Sequence, residues 1–317
     1  MLQSLSVVVP VFNGALTIRE LIFDLNKVLP SLAHQYEAVL VEDGSQDNSW
    51  DIICQLIQTN SWIRGIRLMR NFGQHNALLC GIRAAQSEII VTMDDDLQHP
   101  VTEIPQLLGK LAEGFDVVYG IPEVPQHGVV RGLASRITKL VLQSALGVDI
   151  AGKVSAFRAF RTQVRDGFAD YRSPFVSIDV LLTWGTTRFA AIPVRHQSRR
   201  AGISNYSFLR LVRHTLSLTL GFSTLPLKFA SLLGFAFTLA GFFVLLFVLG
   251  RWFLEGSVPG FPFLASIIAI FSGVILLILG IMGEYLAHMH IQMMGRPPCV
   301  IRETSGSVVS PVHKGRE

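Results

Sequence analysis

The sequence predicts an α/β domain with a mostly parallel, Rossmann-like sheet, followed by two membrane-spanning helices. Three observations predict it. Short β-branched runs alternate with amphipathic helical segments through residues 5–119, the pattern that builds a parallel sheet covered by helices on both faces. Polar loops leave the predicted strands at residues 10–13, 42–45, 70–73 and 94–98, at the sheet edge where such folds bind ligands. Residues 229–250 and 263–283 contain no charged side chain, and each is long enough to cross a hydrocarbon core of about 30 Å as a helix.

The first strand is residues 5–11, Leu-Ser-Val-Val-Val-Pro-Val, and Phe12-Asn13-Gly14 is a turn signal. Ile18, Leu21, Ile22, Leu25, Val28 and Leu29 then share one face at helical spacing, with Pro30 expected to end the helix. A second strand, residues 38–41, runs into Glu42-Asp43-Gly44-Ser45. A helix over 49–58, a strand over 63–69, a helix over 76–85 and strands at 89 and at 117–119 complete the alternation. Residues 126–132 read as a mobile loop over the site, and residues 132–146 as a further helix.

With 317 residues, 50% hydrophobic content and 16% charged residues, the mean hydropathy of +0.44 is too high for a wholly soluble chain, and the excess is confined to the two apolar spans. No cationic segment followed by an apolar stretch precedes Leu5, so no cleavable signal is expected and the N-terminal domain is expected in the cytoplasm. Cys54, Cys80 and Cys299 are odd in number and widely spaced, which suggests reduced thiols and neither a disulfide framework nor a zinc site. No nucleic-acid partner is expected.

Residues 89–100, Ile-Ile-Val-Thr-Met-Asp-Asp-Asp-Leu-Gln-His-Pro, carry the chemistry. A buried strand here ends in three carboxylates, which repel one another and lose solvation unless something neutralises them. Mg²⁺ or Mn²⁺ takes one or two carboxylates together with phosphate oxygens and water, so Asp94 and Asp96 are candidates to hold a metal bridging a diphosphate, with Asp95 facing a nucleoside. The alternative is a solvated acidic turn. Neither Gly-x-Gly-x-x-Gly after the first strand nor Gly-x-x-x-x-Gly-Lys-Ser/Thr occurs, so a diphosphate has to be neutralised by metal and arginine. Arg70 is either that arginine or part of a surface ion pair.

Taken in order, Val-Val-Val-Pro-Val-Phe-Asn, Val-Glu-Asp-Gly-Ser-Gln-Asp-Asn-Ser, Arg-Asn-Phe-Gly and Asp-Asp-Asp-Leu-Gln-His-Pro resemble the family 2 glycosyltransferases of GT-A fold. The nearest resemblance is to the polyprenyl-phosphate branch, of bactoprenol glucosyltransferase and dolichyl-phosphate mannosyltransferase type. It covers residues 5–206 by motif, and the two C-terminal spans match the bactoprenol enzymes. The resemblance implies inverting transfer of a hexose, glucose first, from a UDP-sugar to undecaprenyl or another polyprenyl phosphate at the cytoplasmic face of the inner or plasma membrane. It implies Asp94 and Asp96 on the metal and diphosphate, and Pro10, Phe12, Asn13, Asp43, Arg70, Asp95 and Gln98 around the nucleotide-sugar. A homo-oligomer, a downstream flippase and a membrane glycosyltransferase are the further partners it suggests.

Two positions depart from the family pattern. Ala156, within Lys153-Val-Ser-Ala-Phe-Arg-Ala-Phe-Arg161, stands where an aspartate is usual, so an impaired enzyme or an inactive nucleotide-sugar-binding membrane scaffold is an alternative. A processive polysaccharide synthase is a third reading, but its Gln-x-x-Arg-Trp motif is absent. Arg200-Ala-Gly-Ile-Ser-Asn-Tyr206 resembles the family's Arg-x-Gly-x-Ser-Lys-Tyr loop with Asn205 in place of lysine, which makes Arg200 and Ser204 candidates for the acceptor phosphate or the leaving diphosphate.

From Arg188 to Lys228 the chain has seven cations and no carboxylate, and it ends at the first span. Such juxtamembrane charge marks the cytoplasmic side. Residues 207–222 place Phe208, Leu211, Val212, Leu216 and Leu220 against Arg210, Arg213 and His214, as an interfacial helix would, or as an amphipathic helix docked on the domain would. The expected organisation is a catalytic domain over 1–206, an interfacial helix and linker over 207–227, two membrane helices over 228–287, and a cytoplasmic tail over 288–317.

Overall fold

The computed structural model describes residues 2–123, 154–197, 225–255 and 260–306. The loop and helix expected over 126–146, the interfacial helix over 207–222, Arg200 and Ser204 lie outside the described residues. The chain divides into two compact units, residues 1–207 with 295–317, and residues 208–294.

In the first unit, β1 (Leu2–Val11), β2 (Ala33–Glu42), β3 (Ile63–Leu68) and β4 (Ile89–Thr92) form the parallel centre of the sheet, connected by α1 (Ile18–Leu32), α2 (Ser49–Thr59) and α3 (Gln74–Ala84). After β4 come α4 (Ile104–Ala112), β5 (Val117–Pro122), β6 (Arg158–Arg161), α5 (Ile178–Gly185) and β7 (Phe189–Val194). The sheet order is β7-β5-β6-β4-β1-β2-β3-β8, where β8 (Ile301–Ser305) is a strand far downstream.

β1 explains why the central strands read as unbroken apolar runs. Val7, Val9 and Val11 pack with α1 and α2 on one face, while Val8 packs with Ala77, Leu78 and Ile82 of α3 on the other. Successive side chains point to opposite faces, and both faces are buried.

Three features differ from the sequence expectation. Helix α1 runs through Pro30 to Leu32. Pro30 removes the bond its N–H would make to the Asn26 carbonyl, but it falls in the last turn, so only the end of the helix is affected, and Ala33 N donates to Leu29 O to close it. Arg158–Arg161 is an antiparallel strand inserted between β4 and β5. The tail beyond residue 288 is not simply a tail: Ile301–Ser305 pairs antiparallel with β3 as an edge strand.

Arg158 is 1% exposed. It bonds Asp179 and donates from Nε to Thr92 Oγ1 at 3.0 Å, and Tyr119 donates to Asp179 Oδ1 at 3.1 Å. This ion pair joins β4, β5, β6 and α5 beneath the acidic loop, and its members satisfy one another as buried charges must.

In the second unit, α6 (Leu225–Glu255) and α7 (Phe261–Met293) contain apolar stretches, Pro226–Leu254 and Ile270–Met293, long enough to cross a membrane. Gly234 faces Ile278 and Gly241 faces Phe271, so the two helices run in opposite directions and approach at small residues. Phe235, Phe243, Leu246 and Leu276 remain exposed, an apolar surface that water would not stabilise.

Candidate active site

Chain order explains where the site forms. From β1 the chain moves outward to β2 and β3, then returns to the other side of β1 as β4. Loops leaving β1 and β4 therefore diverge at their carboxyl ends and open a crevice between them. That crevice is a cavity of about 290 Å³ lined by Pro10, Val11, Phe12, Asp43, Asn71, Gly73, Gln74, Asp94, Asp95 and Asp96. All four sequence-predicted loops border it or brace it.

The wall from β1 and β2 is built by side chains bonding backbone. Asn13 takes a left-handed conformation, φ 54°. Its N–H donates to Ser45 Oγ at 3.0 Å, and its Oδ1 accepts from Gln46 N at 2.9 Å. Gly14 N donates to Ser49 Oγ at 3.0 Å and Ala15 N to Asp47 Oδ2 at 3.1 Å. The motif residues of 42–49 thus hold the turn after β1, and Asn13 braces the pocket without lining it.

Asp43 is 2% exposed. Its Oδ1 accepts from Phe72 N at 2.7 Å and its Oδ2 from Gly73 N at 2.8 Å. Burial nevertheless raises its pKa above the usual carboxylate value, the two backbone donors opposing the shift. Asp43 fastens the loop after β3 to the loop after β2 and keeps a lone pair on each oxygen for a ligand.

The acidic loop follows β4. Gln74 Nε2 donates to Asp94 Oδ1 at 2.6 Å, and Gln98 N donates to Asp96 Oδ1 at 3.1 Å. Asp95 turns an oxygen toward Gly14, where any Cβ would collide with it. Leu97 takes a left-handed conformation, φ 59°, as the loop reverses. Gln197 N then donates to Gln98 O at 2.9 Å, so the segment leaving β7 closes on the loop. His99 is stacked on Phe157 with centroids 5.1 Å apart and meets the edge of His196 at 5.0 Å. Burial first, and His196 second, push the His99 pKa down to about 4, leaving it neutral at neutral pH.

Of the sequence candidates, Pro10, Phe12, Asp43, Asp94, Asp95 and Asp96 meet in the cavity. Gln98 contributes its backbone beside it. Arg70 does not line it: its Nη1 donates to Asn71 O at 3.0 Å and the guanidinium lies over the Phe72 ring, 4.1 Å from the centroid. Ala156 does not line it either, and its carbonyl accepts from Thr92 Oγ1 at 2.8 Å. The β4–β6 register pairs Thr92 with Arg158. Gln74 is the pocket side chain the sequence reading missed, because a glutamine opening a helix carries no motif of its own. Gln74 also begins α3, whose N-terminal end favours negative charge.

The sequence model described as "Glycosyl transferase family 2" matches residues 6–168, just over half of the chain. The chain belongs to glycosyl transferase family 2. Its GT-A fold is shared with glucosyl-3-phosphoglycerate synthase from Mycobacterium tuberculosis, solved with Mn²⁺, UDP and glucosyl-3-phosphoglycerate, at 19% identity and a TM-score of 0.51 over 69% of this chain and 78% of that one. The same synthase solved with Mn²⁺, UDP-glucose and phosphoglyceric acid gives 21% identity and 0.51 over the same shares. Residues 1–349 of S. aureus TarS are similar at 19% identity and 0.44, over 60% of this chain and 58% of that one, so this chain spans less than two thirds of TarS 1–349.

Proposed function

We propose that this family 2 chain is a membrane-anchored, inverting hexosyltransferase that moves glucose from UDP-glucose to undecaprenyl or another polyprenyl phosphate at the cytoplasmic face of the membrane. The observation that carries the reading is the convergence of Asp43, Asp94, Asp95, Asp96 and the start of α3 in one cavity at the β1–β4 switch. The choice of a uridine donor is supported by the similar fold solved with UDP and with UDP-glucose.

The donor set fits Mg²⁺ or Mn²⁺. Asp94 and Asp96 offer hard oxygen ligands, and among the described residues no third His, Cys, Asp or Glu closes a protein-only cage around them. A site of that kind leaves positions for diphosphate oxygens and water. When bound, the ion supplies positive charge against the departing diphosphate. Gln74 and the Gln98 N–H hold the two carboxylates in orientation, while Asp43 holds the nucleoside wall.

A lipid monophosphate has a second pKa near about 6, so it is mostly dianionic at neutral pH and requires no carboxylate to take a proton. One of its oxygens attacks the anomeric carbon. The new C–O bond forms as the C–O bond to the diphosphate breaks, UDP departs with the electron pair, and the configuration inverts. Arg200 and Ser204 are the proposed holders of the acceptor phosphate.

The lipid acceptor is supported by the two apolar helices and by the basic stretch that precedes them. β8 follows both helices in the chain yet pairs with β3, which supports an even number of crossings with the domain and the post-α7 segment on one side.

The test is transfer of labelled glucose from UDP-glucose to polyprenyl phosphate by the full chain in nanodiscs with Mn²⁺, run beside a panel of other nucleotide-sugars and phosphoglyceric acid. Labelled lipid with UDP-glucose is the expected product. Donor binding without transfer to any lipid phosphate would establish the scaffold reading instead.

A further inference from the structure

We propose that the strand after the second apolar helix is a positioning element of the nucleotide pocket, acting through Glu303. The inference rests on the nucleotide-sugar reading of that pocket.

Glu303, Arg67 and Glu42 are direct cross-strand neighbours on β8, β3 and β2. Arg67 Nη1 bonds Glu303 Oε1 at 3.1 Å, and its Nε bonds Glu42 Oε2 at 3.2 Å. Trp50 lies beneath the guanidinium, 5.7 Å from ring centroid to Cζ. The Glu42 side chain is 1% exposed, so Arg67 is the partner that compensates its burial. Glu42 Oε1 in turn accepts from Ser45 N, and Ser45 Oγ accepts from Asn13 N, which turns the chain after Phe12. The line from Glu303 therefore ends on the wall that carries Phe12 and Asp43. Arg67 is 31% exposed and two-sided. Removing Glu303 frees one half of its fork and loosens the other.

A second link runs through the backbone. Val300 O accepts from Met69 N at 2.9 Å, and the register shifts between Arg67 and Leu68. Irregularities of this kind re-aim the strand they interrupt. Here the re-aimed segment is 69–73, whose Phe72 and Gly73 N–H groups hold Asp43. Cys299, just upstream of Val300, packs with the cluster that contains Cys80 of α3, so the approach to β8 is anchored on the helix whose first residue contacts Asp94. β8 has exposed side chains along nearly its whole length, so burial does not explain its presence in the sheet.

The experiment measures UDP binding with Mn²⁺ by calorimetry, and donor KM and kcat, on the full chain in nanodiscs. The arms are wild type, Glu303→Gln, Glu303→Asp, Arg302→Gln and a chain ending at Pro298. Glu303→Gln is expected to weaken UDP and raise donor KM by about two- to fivefold, the range of a half-exposed ion pair. Its kcat stays within about twofold, and Glu303→Asp recovers most of the loss. The shortened chain, which also loses the Met69–Val300 bond, weakens UDP further, while Arg302→Gln leaves it unchanged. UDP affinity equal to wild type in both Glu303→Gln and the shortened chain would overturn the proposal, as would an equal loss in Arg302→Gln. A wild-type chain that binds no UDP removes the pocket reading, and this proposal with it.

Discussion

Gln74 Nε2 lies 2.6 Å from Asp94 Oδ1, so the first residue of α3 fixes the carboxylate that opens the acidic loop of β4. The amide occupies one lone pair of a carboxylate that lines the cavity. Gln74→Ala is expected to leave the fold intact, since the side chain is exposed. It should weaken Mn²⁺ binding in the presence of UDP by about 10- to 100-fold, the usual cost of losing a group that orients a metal ligand. Titration of Mn²⁺ by electron paramagnetic resonance reads the change.

Asp94→Asn and Asp96→Asn each remove one of the charges proposed to hold the ion. Transfer is expected to fall by about 10²-fold or more in either variant, and to the same floor in wild type treated with EDTA. If transfer by the wild-type chain persists undiminished in EDTA, the acidic loop is not a metal site.

Gly44 has φ +68°, and a Cβ there would sit 2.5 Å from Asn71 N and 2.6 Å from Arg70 C. Both obstacles are backbone and cannot swing aside. Gly44→Ala is therefore expected to lower stability by more than about 1 kcal/mol and to displace the loop that Asp43 fastens. Thermal denaturation reads the first effect and UDP calorimetry the second.

Burial holds the His99 pKa down to about 4 in the folded chain, against about 6.5 for a solvated imidazole. Below 6.5 the unfolded chain takes up a proton that the folded chain refuses, so stability falls as pH drops from about 6.5 to about 4, by up to about 3 kcal/mol. His99→Phe should flatten that part of the stability profile measured by denaturant titration.

Asp179→Ala would leave Arg158 buried without its carboxylate. A loss of about 3–5 kcal/mol is expected, as for other broken buried ion pairs, while Asp179→Asn should cost less because it keeps an acceptor for both Arg158 and Tyr119. Chemical denaturation separates the two.

Ala156→Asp tests the departure from the family pattern. An aspartate at that position is expected to raise transfer tenfold or more if it supplies the missing orienter of the acceptor. Unchanged turnover in the lipid-acceptor assay would retire that role.

The amino-acid sequence by itself determined what depends on near neighbours. The β-branched apolar run of β1 and the period-3.6 apolar pattern of α1 specify a strand and a helix, because each is set by residues close in the chain. The uncharged lengths of residues 229–250 and 263–283 specify helices long and apolar enough to cross a membrane. The pocket's loops were legible for the same reason, since each follows its strand directly. Only tertiary structure decided which strands pair. Val154 to Arg161 gave no sign that residues 158–161 would enter between β4 and β5, and Ile301-Arg-Glu-Thr-Ser305 reads as a polar tail because its side chains stay exposed even when paired. A strand of that kind exists only where another strand's free edge supplies the hydrogen bonds, as β3 does. Tertiary structure likewise turned Asn13 and Asp43 into braces and brought Gln74 to Asp94, because bonds across 20 or 30 residues depend on the fold that closes them.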